Sequence, residues 1–71
     1  MNREKIEYAV NLVWDILDDE PDFPTYQLAE CISEEANMEY EKALIVAKLV
    51  GYRDGEDYRF KELVNHLSQM I

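Results

Sequence analysis

Few side chains in this 71-residue sequence could do covalent chemistry: Cys31, His66, Thr25, Ser33 and Ser68. Nucleophilic catalysis needs a hydroxyl or thiol, a base within reach, and a third group to orient that base. The single imidazole, His66, falls on the polar flank of an amphipathic C-terminal stretch and reads as a surface residue. Cys31 follows the apolar spacing of its own segment and reads as a small core hydrophobe. One Cys and one His make no zinc site. The two glycines, Gly51 and Gly55, form no phosphate-cradling loop. Asp18, Asp19, Glu20 and Asp22 could attract a divalent cation, but they lack the alternating ligands and the central Gly of an EF-hand loop. The expectation is therefore no enzyme, no cofactor and no metal.

What the chain has in quantity is carboxylate. Sixteen Asp and Glu stand against seven Lys and Arg, for a formal charge of −9. From Ile6 to Glu41 there is no Lys or Arg at all, while Glu7, Asp15, Asp18, Asp19, Glu20, Asp22, Glu30, Glu34, Glu35, Glu39 and Glu41 all fall there. Arg3 and Lys5 precede that stretch, and Lys42, Lys48, Arg53, Arg59 and Lys61 follow it. A charged surface of this kind keeps a protein soluble; it also repels nucleic acid and attracts basic surfaces. Asp18, Asp19 and Glu20 sit at the C-terminal end of the first expected helix, where the macrodipole disfavours negative charge by roughly 0.3–1 kcal/mol per residue. Charge that costs locally points to a use elsewhere.

The elements that must position these groups follow from hydrophobic spacing. A first helix runs from a cap at Asn2 to about Asp19, burying Ile6, Ala9, Val10, Val13, Ile16 and Leu17, with Trp14 on the edge. Its opposite face carries Glu4, Glu7, Asn11, Asp15 and Asp18, an acidic stripe with no cation at i,i+4 to relieve it. Pro21 and Pro24 break that helix. Thr25 then caps a short helix over residues 26–34, with Leu28, Cys31 and Ile32 on one side. Asn37 caps a third, over residues 38–50, which ends at Gly51 as a C-cap. Asp54-Gly55 between Tyr52, Tyr58 and Phe60 signals a type I′ hairpin over residues 52–60. A last helix, residues 61–70, buries Leu63, Leu67 and Met70, with Val64 and Ile71 beside them. The expected core is Val10, Val13, Leu17, Leu28, Ile32, Leu44, Ala47 and Leu67. Trp14, Phe23 and Tyr26 read as core or hinge-packing aromatics.

This order resembles a winged helix-turn-helix domain, carried by Thr25-Tyr26-Gln27-Leu28-Ala29-Glu30, by Tyr40 to Tyr52, and by the hairpin. The resemblance implies a mainly α, single-domain fold over residues 1–71, with four helices and one two-stranded hairpin as the wing. It makes the third helix the recognition helix, with Tyr40, Ala43, Leu44 and Ala47 facing inward. Its outer positions would be Glu39, Glu41, Lys42, Ile45, Val46 and Leu49, and the wing tip Asp54, Glu56 and Asp57. DNA affinity rests largely on Lys and Arg at phosphates, and this surface offers the opposite charge. The fold resemblance stands while direct nucleic-acid binding does not follow from it.

Met38, Ile45 and Leu49 put a second apolar face on the third helix. Either neighbouring helices cover it, or it is a patch for a partner or a second copy in a homodimer. Tyr8 and Tyr58 are aromatics set in charged surroundings, as interface anchors are. By size and charge the chain is also similar to small acidic phage-encoded inhibitors, anti-CRISPR proteins among them. The expectation is a protein-binding module that occupies a basic, nucleic-acid-binding surface of another protein. Its contact residues would be Glu4, Glu7, Tyr8, Asp15, Asp18, Asp19, Glu39, Glu41, Ile45, Leu49, Asp54, Glu56 and Asp57. A transcription regulator or accessory subunit is the alternative, with a dimer gathering Lys42, Lys48, Arg53, Arg59 and Lys61 on one side. A structural adaptor is a third. With one Cys and no apolar run of signal-peptide or membrane length, the expected setting is the cytoplasm, off any membrane.

Overall fold

A computed structural model describes residues 3–51 and 60–70. Four helices follow one another: α1 (Arg3–Asp19), α2 (Thr25–Glu35), α3 (Tyr40–Gly51) and α4 (Phe60–Met70). The described residues contain no strand, so the expected mainly α fold with a two-stranded wing is corrected, over those residues, to four helices and no strand. Residues 52–59, on which the hairpin was expected, lie outside the described residues. Phe60, expected in the second strand, opens α4 instead. It stands at i to Leu63, Val64 and Leu67 at i+3, i+4 and i+7, and this helical stripe overrides the local strand signal.

The helices share one core. Ile6, Ala9, Val10 and Val13 of α1 are fully buried, as are Ala29 and Ile32 of α2, Ala43, Val46 and Ala47 of α3, and Leu63, Val64 and Leu67 of α4. Leu28, Ala36, Met38 and Val50 join them. The expected core members Leu17 and Leu44 are only half-buried, packed on the core from its margin. Cys31 is likewise half-buried, and Met70 is 50% exposed. α1 packs against all three other helices, α3 packs against α1 and α2, and α4 leans chiefly on α1. The described backbone spans 27 × 26 × 15 Å, a flattened body in which each helix keeps a face to solvent.

The junctions differ from their expected chemistry. Pro24, not Thr25, holds the N-cap position of α2 in extended geometry (φ −64°, ψ 142°), and no side chain caps it. Its carbonyl accepts from the amides of Gln27 and Leu28, so proline's missing N–H falls where the helix has no use for it. Asn37 is not the cap of α3. It takes a left-handed conformation (φ 52°) just past the end of α2. The Met38 amide donates back to the Ser33 carbonyl at 3.1 Å, the six-to-one bond of a Schellman close. The Ser33 hydroxyl donates to the Met38 carbonyl at 2.8 Å, locking the same turn. Gly51 has no positive φ and is simply the last residue of α3.

The inner face of α3 is turned from its expected direction. Ala43 and Ala47 point inward as expected, but Val46 and Val50 replace Tyr40 and Leu44 as their companions. Tyr40 is 43% exposed. At 100° per residue this is a rotation of about 60° about the helix axis. The second apolar face is largely a covered one: Met38 is buried, and Ile45 and Leu49 are half-buried against the core.

Candidate protein-binding surface

Because α1 is the helix that all others use as support, its inward residues are fixed by packing, and 3.6-residue periodicity sets what remains outside. Glu4, Asn11, Asp15 and Asp18 are exposed along that outer face, with Asp19 beside them. The stripe is not wholly unrelieved. Arg3 pairs with Glu7 at 3.4 Å, one turn away, correcting the expectation of no cation at i,i+4. Arg3 also donates to the Asn65 side chain, tying the start of α1 to α4. Both members of the Arg3–Glu7 pair are close to half exposed, so the bond is worth a few tenths of a kcal/mol, about 0.3–0.5. From Asn11 to Asp19 no basic residue interrupts the face.

Tyr8 is 46% exposed, and its hydroxyl donates to the Glu35 carboxylate at 3.3 Å. This bond joins the acidic face of α1 to the last turn of α2, where Glu34 and Glu35 are both exposed. Sequence reasoning placed neither glutamate in the site. The available signal was their lying in the cation-free stretch, but which helix face they would extend was set by how α2 packs on α1. Lys5 donates to the Asn37 carbonyl at 3.1 Å, so one of the few cations nearby is spent on the turn after α2.

The other candidates divide by location. Glu39 and Glu41 are exposed at the start of α3: the Glu39 carbonyl accepts the first helical bond, from Ala43, and Glu41 lies in the first turn. Helix N-termini favour negative charge, so those two have a local reason to be acidic. Asp18 and Asp19 have no such reason, because they lie in the last turn of α1, which holds no basic residue. Ile45 and Leu49 are half-buried and apart from the α1 stripe by helix. Asp54, Glu56, Asp57 and Tyr58 lie outside the described residues.

One of the aromatics departs from its expected role. Tyr26 is 56% exposed rather than packed in the core. Trp14 is 38% exposed, its ring 5.8 Å from that of Phe60 and tilted by 57°, joining α1 to α4. Phe23 packs partly buried against the core, as expected. The outer face of α1 thus carries carboxylates together with the accessible Tyr8 ring. Among the described residues no group of three or more His, Cys, Asp or Glu is placed to hold a metal ion. No helix among them is long and apolar enough to cross a membrane.

Comparison with protein-family models, curated proteins and solved structures finds no match to this chain.

Proposed function

We propose that this protein is a binding module whose acidic α1 face occupies a basic, nucleic-acid-binding surface of a partner protein. In this role it acts as a small cytoplasmic inhibitor of the phage anti-defence kind. One observation carries the reading. α1 presents exposed carboxylates near both ends of its outer face, Glu4 and then Asp15 and Asp18, and closes on Asp18 and Asp19 against the helix dipole. The packing of α1 does not call for charge there, which supports a binding role for it.

The spacing suits phosphate replacement. With a rise of about 1.5 Å per residue, Glu4 and Asp18 lie about 21 Å apart along the helix. Within that span Glu4 with Glu7, and Asp15 with Asp18, form two acidic pairs separated by about 12 Å. Arg and Lys side chains arranged to grip a nucleic-acid backbone meet carboxylates through the same charge-assisted hydrogen bonds. Tyr8 adds apolar contact area between the pairs. Opposite fields across such an interface speed association, and salt weakens them.

The test is a triple charge reversal, Glu7→Lys with Asp15→Lys and Asp18→Lys. Circular dichroism is expected to show the wild-type helix content, since Asp15 and Asp18 are exposed and Glu7 gives up only the surface pair with Arg3. Immobilised wild type is expected to retain a nucleic-acid-binding protein from its native cell, released by salt and by duplex DNA. The reversed protein is expected to bind that partner at least about tenfold more weakly, the loss of little more than one good charge-assisted contact. A partner bound equally by both proteins, or one indifferent to salt and DNA, would overturn the proposal.

A further inference from the structure

We draw no further inference here: the strongest candidate, the exposed Tyr8 ring bonded to Glu35 between α1 and α2, belongs to the acidic surface already described, and no bound group or buried unpartnered side chain beside it points to a ligand of its own.

Discussion

α3 and α4 are nearly the same length and are built on opposite plans. α3 is apolar on several sides: Ala43, Val46, Ala47 and Val50 are buried, while Leu44, Ile45 and Leu49 are half-buried around them. α4 keeps its apolar residues to one stripe, Leu63, Val64 and Leu67 with Phe60, and the rest of it faces water. The difference matches their neighbours, since α3 is wedged against both α1 and α2 whereas α4 leans on α1. Breadth of the apolar surface on a helix therefore reports how many partners it has, and only secondarily which way it points.

A charge inside α3 gives the strongest test of that contrast. Val46 has no exposed surface, and Val46→Asp would bury a carboxylate with no partner. The domain is expected to lose its cooperative thermal transition, because the cost of several kcal/mol rivals the whole stability of so small a fold. A folded Val46→Asp protein would mean that α3 is not the wedged helix.

In α4 the expected damage is smaller and strictly one-sided. Leu67→Ala, at a fully buried site, is expected to cost about 2–5 kcal/mol in denaturant unfolding. Met70→Ala, at the half-exposed end of the helix, is expected to stay within about 0.5 kcal/mol of wild type. Equal costs at the two positions would remove the single-stripe description of α4.

One small effect has the opposite sign. Gly51 is helical, and a Cβ there would sit 3.7 Å from Leu28 Cδ1 and 4.0 Å from Leu17 Cδ1, which is ordinary contact. Gly51→Ala is expected to raise stability by about 0.4–1 kcal/mol through the lower entropy of the unfolded chain. A loss of that size, read from the same denaturant curves, would show that the end of α3 needs the freedom of glycine.

Much of this architecture was legible beforehand, for a specific reason. α1 and α4 each leave one clearly polar face, so spacing alone located their inner faces. α3 offered no such choice: with Leu44, Ile45, Val46, Leu49 and Val50 all apolar, periodicity could not select one direction. Contact with two neighbouring helices settled it in favour of Ala43, Val46, Ala47 and Val50. The hairpin expectation failed at Phe60 because a turn signal reads only its near neighbours, whereas the ring is claimed by Trp14, far away in sequence. The acidic stripe of α1 was legible from helical phase. Its continuation onto Glu35 was not, since that depends on a cross-helix bond.

The Schellman close at Asn37 also bears on the order in which the chain assembles. It carries the chain from α2 into α3 within residues 36–39, so the contacts of that pair join residues close in sequence. By contrast, the bond between Arg3 and Asn65 spans 62 positions and stands for the whole α1–α4 seam. Closing a short loop costs less chain entropy than closing a long one. The expected transition state for folding is therefore a docked α2–α3 pair collecting α1, with α4 docking afterwards. In kinetic terms, Ile32→Val is expected to slow folding, while Leu67→Ala mainly speeds unfolding. Stopped-flow chevrons in which Leu67→Ala instead carried its whole effect in the folding arm would place the seam between α1 and α4 first, making the turn at Asn37 a consequence of assembly and not its start.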